Sequence, residues 1–409
     1  MSVEQNFVIV GGGLAGASAA EELRKQGFDG SIRLIAGEEH EPYIRPPLSK
    51  GYLSGSDGLD AVYVHPKQWY ADNRIEVVTG TRVTAIDRAA HAVTLSTGDT
   101  LGYDKLLLAT GSAPRVLSID GSDLGGVHYL RTIDDSEALQ TELRAGDKHL
   151  VLIGSGWIGM EVAATARTFG NEVTILERDA IPLANALGDE LGTMFAELHR
   201  EKGVVLRASV AVAKIVGSDG RVTGVELDGG EVVPADVVLI GIGAVPNVSL
   251  AQEAGLEVDG GVLTDASLAT SDPDIFAAGD IASAMHPVLK QRLRSEHWAN
   301  ALNEGAAAAR SMLGQDVSFD DIPYFYTDQF DLGMEYSGYG PLTRGATVVY
   351  RGNRAGREFI AFWLADGKVV AGMNVNVWDV NEQVQRIIRS GAQIDPARLV
   401  DESVPLEEL

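Results

Sequence analysis

Two copies of one glycine fingerprint constrain this chain more than anything else in its 409 residues. Gly11, Gly13 and Gly16 follow the apolar run Phe7–Val10, and Gly154, Gly156 and Gly159 follow Leu150–Ile153. In that spacing a buried parallel strand turns sharply into a helix. The amides of the helix N-terminus are left pointing at a pyrophosphate. The same grammar runs on in both places. Leu14–Gln26 and Ile158–Phe169 read as helices, stopped by Gly27 and Gly170, and Ile32–Ala36 and Glu172–Leu176 as the next strands. One such unit implies one dinucleotide, so two imply that two dinucleotides meet.

Each fingerprint also has an acidic residue about twenty positions downstream, where a carboxylate can accept hydrogen bonds from ribose hydroxyls. In the second copy this is Glu177, which disfavours a 2′-phosphate and points to NADH, although Arg178 stands beside it. In the first copy it is Glu38, with Glu39 as its neighbour. Further strands lead into Ala109-Thr110-Gly111, into Gly241-Ile242-Gly243, and into Gly279-Asp280 after Ile275–Ala278. Small residues at helical spacing run from Asn300 to Met312. From about residue 320 the texture becomes alternating and aromatic, as in Ala346–Tyr350, Phe359–Phe362 and Lys368–Met373, which predicts an antiparallel sheet. The acidic end, Asp395–Leu409, reads as a surface tail.

Composition narrows the chemistry. The formal charge of −25 opposes binding to nucleic acid or anionic lipid. The chain has no cysteine, which removes disulfides, thiolate metal sites, protein-ligated iron–sulfur clusters and cysteine redox catalysis. Its eight histidines show no paired ligand spacing, so no metal is expected. No apolar stretch is long enough for a bilayer and no export signal precedes the first strand, so a cytoplasmic protein is expected.

The segment Pro42-Tyr43-Ile44-Arg45-Pro46-Pro47-Leu48-Ser49-Lys50, taken with Ala109-Thr110-Gly111 and Gly279-Asp280, resembles the FAD-dependent ferredoxin reductases of the putidaredoxin reductase and aromatic-dioxygenase type. The likeness extends to Asp401-Glu402-Ser403-Val404-Pro405-Leu406 and so covers effectively the whole chain. It implies that Gly11, Gly13, Leu14, Ala15 and Gly16 cradle the FAD pyrophosphate, with Glu38 on the adenosine ribose. Arg45, Lys50, Val83, Ala109, Thr110, Gly111, Arg131, Gly279, Asp280 and Trp298 would complete the FAD contacts. Gly154, Gly156, Ile158, Gly159, Glu177 and Gly243 would hold NADH. The activity implied is hydride transfer from NADH to FAD, followed by single-electron transfer to an iron–sulfur ferredoxin that supplies a P450 or a Rieske oxygenase.

Beside that resemblance stands a physical reading of Lys50. A flavin gains negative charge on taking a hydride, and a fixed cation stabilises it. A buried ammonium needs an anion, and Glu161 is the candidate. Lys290, Arg292 and Arg294 form the densest short basic run and could steer an acidic ferredoxin, whereas His297 is expected to hydrogen-bond locally. Two departures from the family pattern stand out: Gly37 where an acid is usual, and Tyr324 and Tyr326 where tryptophans are usual.

The expected fold class is α/β, with two Rossmann-like dinucleotide-binding domains of the pyridine nucleotide-disulfide oxidoreductase type and a smaller α/β C-terminal domain. Residues 1–112 and 240–319 would form a discontinuous FAD domain, 113–239 an inserted NAD domain and 320–409 the C-terminal domain. A monomer or homodimer is expected. Alternatives are a rubredoxin reductase, an NADH oxidase or disulfide reductase of the same superfamily, and a redox-responsive interaction flavoprotein. The missing cysteine counts against the disulfide and peroxide chemistries.

Overall fold

Val8, Ile9, Leu34 and Leu107 are at most 1% exposed, because the strands that carry them lie inside a parallel sheet covered on both faces. The structure is a computed structural model describing residues 5–409, which group into two compact units. Residues 5–44, 59–113 and 245–325 make the first unit, and 45–58, 114–244 and 326–409 the second.

In the first unit the central sheet runs Ile275–Ala277, Lys105–Leu108, Asn6–Val10, Ser31–Ile35 and Ile75–Val78, all parallel. In the second it runs Val205–Arg207, Glu172–Leu176, His149–Ile153, Val237–Ile240 and Val127–His128, again all parallel. The strand preceding each glycine fingerprint is the middle one of its sheet. Both sheets thus offer the fingerprint turn at their carboxyl edge, between neighbouring strands, where open α/β sheets bind ligands.

The first fingerprint helix, Leu14–Lys25, buries Ala15, Gly16, Ala17, Ala19 and Ala20. These small residues let the long helix Trp298–Met312 approach closely. A β-carbon on Gly305 would lie 2.3 Å from the backbone oxygen of Ala15, so the crossing tolerates no larger residue there. The Trp298–Met312 helix begins two residues before the periodicity alone suggests.

The second unit also contains an antiparallel sheet ordered Tyr324–Gln329, Leu332–Gly338, Lys368–Val375, Glu358–Ala365 and Thr347–Asn353, as the alternation predicts. The unit boundary falls within its first strand, between Phe325 and Tyr326. Here one expectation fails. Residues 395–409 lie at the surface, yet they are no unstructured tail: they form the helix Pro396–Val400 and a short turn of helix at Leu406–Glu408. Leu399 is 0% and Leu406 8% exposed. The Arg351 guanidinium donates to the backbone oxygens of Leu399, Asp401, Glu402 and Val404 and fastens the segment. The acidic composition describes only the outer face of a packed element.

Candidate functional sites

The two fingerprints build the same cradle from the same three devices. The first glycine lets the turn touch the neighbouring strand end. A β-carbon on Gly11 would sit 2.0 Å from the Ala109 backbone oxygen, and one on Gly154 2.4 Å from that of Gly241. Their φ values of +129° and +100° are accessible to glycine alone. The third glycine seats the helix on its own turn: β-carbons on Gly16 and Gly159 would lie 2.2 Å and 2.9 Å from the oxygens of Gly11 and Gly154. The second glycine behaves differently. Gly13 and Gly156 have extended backbones, and a β-carbon on either would meet nothing within 4 Å.

Those open positions are the helix N-caps. Neither helix carries a side-chain cap or an acidic residue in its first turn. The helix Ile133–Leu143, by contrast, is closed by a reciprocal box between Thr132 and Asp135. Two helix N-termini with unclaimed amides, a positive dipole end and bare space in front suit the pyrophosphates of two dinucleotides. The residues present therefore fit one dinucleotide at each cradle.

Around the first cradle, the Tyr43 hydroxyl donates to Glu38 Oε2 at 2.5 Å, which orients the carboxylate assigned to the ribose. The Arg82 side chain lies over Gly37: a β-carbon there would be 3.2 Å from Arg82 Cγ. Asp280 is 9% exposed and accepts from the Ser112 hydroxyl at 3.1 Å. Glu304, which sequence reasoning missed, receives the Gly279 backbone N–H at 2.7 Å and so holds the Gly279-Asp280 turn from beneath. Burial pushes the Glu304 carboxyl up to about 8, reinforced by the charges of Asp280 and Asp321 and opposed by the Gly279 and Asn300 hydrogen bonds. His297, expected from the sequence to hydrogen-bond locally, stacks on Phe325, with centroids 4.4 Å apart. Burial lowers this imidazole to about 4, so it is neutral at pH 7. Trp298 opens the helix Trp298–Met312, Val83 starts the outlying strand Val83–Asp87, and the Thr110 hydroxyl donates to the Asn247 oxygen at 3.0 Å.

Around the second cradle, Glu177 lies one residue beyond the Ile153–Leu176 strand pair. Its Oε2 accepts from the Ser155 N–H at 2.8 Å and the Ser155 hydroxyl at 2.5 Å, and its Oε1 from the Asp179 N–H at 2.8 Å. The carboxylate is thereby aimed along the fingerprint. Arg178 and Gly243 are exposed, and so is Ile158 at 48%. Arg45 donates to the Arg131 backbone oxygen.

The same unit holds the expected ion pair. Lys50 Nζ lies 2.7 Å from Glu161 Oε1, with side chains 16% and 5% exposed. Glu161 also accepts from the Thr327 hydroxyl at 2.6 Å and from Ser49 Oγ at 2.5 Å. The Tyr326 ring stands 5.3 Å from the ammonium. Burial of two charges this deep is unfavourable unless further hydrogen bonds support them, and here both Glu161 oxygens accept one from a hydroxyl. Ser49 lies in the segment ending at Lys50 that carries the resemblance and Thr327 stands beside Tyr326, but nothing in the sequence ties either hydroxyl to the ion pair. In the basic run, Arg292 donates to the oxygens of Thr264 and Ser283, Arg294 pairs with Glu296, and Lys290 is exposed at a turn. Much of that charge thus also serves the local fold.

Residues 5–305 match the family described as pyridine nucleotide-disulphide oxidoreductase, and residues 324–409 the family described as reductase C-terminal. The ferredoxin–NAD(+) reductase component of the anthranilate 1,2-dioxygenase system of Burkholderia cepacia is 41% identical, covering 98% of both chains. Putidaredoxin reductase of Pseudomonas putida is 38% identical over 100% of this chain and 97% of its own length. Among solved structures, the covalent putidaredoxin reductase–putidaredoxin complex superposes with a TM-score of 0.95 at 37% identity, covering 100% of this chain and 98% of the other. Among the described residues, no helix is long and apolar enough to cross a membrane.

Proposed function

This chain belongs to the pyridine nucleotide-disulphide oxidoreductase family, among the ferredoxin reductases that use FAD and NAD(H), and on that premise we propose how its residues divide the work. FAD, when bound, accepts a hydride from NADH and yields its electrons one at a time to an iron–sulfur protein. The amides in the first turn of the helix that starts at Leu14 hold the FAD pyrophosphate and those of the helix that starts at Trp157 that of NADH. Glu38 and Glu177 take the ribose hydroxyls, and Glu177 excludes the 2′-phosphate of NADPH. Lys50 supplies the fixed positive charge that offsets the negative charge delivered by the hydride, and Glu161 keeps that ammonium in place. Arg45, Arg131, Asp280 and Trp298 hold the remaining parts of FAD, and Gly243 leaves room for the nicotinamide half.

The observation that carries this reading is the buried Lys50–Glu161 pair in a chain with two uncapped glycine cradles. The partner we propose is an acidic ferredoxin that feeds an oxygenase and is steered by the exposed residues Lys290, Arg292 and Arg294. A cytoplasmic setting fits the cysteine-free, acidic chain. Stopped-flow mixing of the NADH-reduced holoprotein with a [2Fe–2S] ferredoxin tests the proposal. Fast reduction that slows as salt rises supports it. A rate independent of salt, unchanged by Lys290→Ala and Arg292→Ala, would remove the steering role.

A further inference from the structure

Beyond Glu161, the hydrogen bonding continues into the interior and stays buried. Thr327 and Gln329 point to one side of the strand Tyr324–Gln329, and both are 0% exposed, as is His199 on the helix Asp189–Glu201. Gln329 Nε2 donates to Thr327 Oγ1 at 3.2 Å, and His199 Nε2 lies 2.9 Å from Gln329 Oε1. An amide oxygen only accepts, so the imidazole carries its hydrogen on Nε2. Every donor in the series then points the same way: imidazole to amide, amide to hydroxyl, hydroxyl to the Glu161 carboxylate. The series ends at His199 Nδ1, which is buried without a hydrogen-bond partner.

We propose that Thr327 is a positioning residue for the hydride-transfer reaction: Gln329 and His199 lock its hydroxyl as a donor to Glu161, which fixes the carboxylate that holds Lys50. The inference rests on the role of Lys50 and Glu161 given above. Buried polar side chains are costly unless satisfied, and here two of them, Gln329 and His199, set one hydroxyl's direction. The series is not a proton path. A carboxamide cannot pass a proton on without becoming an unfavourable tautomer, and its far end is sealed from solvent. Its effect is orientation. With the Thr327 oxygen already accepting from Gln329, its own hydrogen is left for Glu161.

The test follows Glu161 by NMR in holoprotein labelled with ¹³Cδ-glutamate, the resonance being identified by its absence in Glu161→Gln. The titratable and charged groups facing that carboxylate are Lys50, Tyr326 and Asp328, with Glu335 beside Asp328. All of them remain in the variants compared. Thr327→Val removes the donor at nearly constant volume, and the Glu161 ¹³Cδ resonance moves away from its position in the parent protein. Thr327→Ser restores it, and Gln329→Met gives a smaller shift in the same direction. In the Glu161→Gln background, Thr327→Val slows hydride transfer no further. An unmoved Glu161 resonance in Thr327→Val, or equal displacements from valine and serine, overturns the proposal. Should the valine variant fail to retain flavin, Gln329→Met decides, and no shift there overturns it. If Glu161→Gln leaves hydride transfer unchanged, the role of the ion pair falls instead, a result separate from the NMR outcome.

Discussion

Replacing the second glycine of the NAD cradle by alanine separates binding from folding. A β-carbon on Gly156 meets no protein atom within 4 Å, and the backbone there, at φ −70° and ψ 174°, suits alanine. The folded chain should not register the change. A bound pyrophosphate should, because the methyl group occupies the space its oxygens need to reach the helix amides. Losing one such charge-assisted hydrogen bond costs roughly 1.5–3 kcal/mol, equivalent to NADH binding weaker by about 10- to 150-fold. Gly154→Ala provides the contrast. Its φ is +100° and its β-carbon would lie 2.4 Å from the Gly241 oxygen. Strain and overpacking there cost on the order of 3 kcal/mol of stability. The assays are thermal unfolding and NADH titration of the flavin-loaded protein. Gly156→Ala should unfold at the parent temperature with flavin content unchanged, while its affinity for NADH collapses. Affinity for NADH within about twofold of the parent would refute the claim that this helix end holds the pyrophosphate.

Further outcomes follow from the same geometry. Lys50→Ala should slow flavin reduction by NADH on the order of 10- to 100-fold with FAD still bound; an unaffected rate in stopped-flow removes its electrostatic role. Glu177→Ala should narrow the preference for NADH over NADPH about tenfold, read as the ratio of kcat/KM values. Glu304 is held near 8 in the folded chain against 4.5 ordinarily, so the native state binds the extra proton between those values. Stability therefore falls as pH rises across that window, by at most about 1.4 kcal/mol per pH unit. Glu304→Gln should flatten this slope in denaturant melts from pH 5 to 8, and a slope equal to the parent's rules the assignment out. Arg351→Ala should raise amide exchange in residues 396–409, since the side chain donates to four backbone oxygens there.

What could be read from the chain was what short-range chemistry encodes. Strand, glycine turn, helix and acidic terminus lie within about thirty residues of each other, and both cradles stand where the spacing puts them. Lys50 and Glu161 are different. Each is one charge among many in the sequence, and only the segment around Lys50 drew attention to the pair. Glu304 and His199 left no local trace, and Thr327 and Gln329 stand out only as part of the stretch that holds Tyr324 and Tyr326, because their meaning lies in contacts made across the chain. Thr327 meets Glu161 across 166 positions, and His199 meets Gln329 across 130. The terminal segment was misread for a related reason. Its acidic residues outnumber Leu399 and Leu406, yet those two leucines and the Arg351 clasp determine where it lies.

The central claim is that this chain turns a two-electron donor into a one-electron supply. Anaerobic titration measures that directly: one equivalent of NADH is added to the holoprotein, followed by ferredoxin, with flavin and iron–sulfur absorbance followed together. The account predicts that one NADH bleaches the flavin and that about two equivalents of ferredoxin are then reduced as the flavin colour returns. Bleached flavin beside ferredoxin that stays oxidised would contradict it.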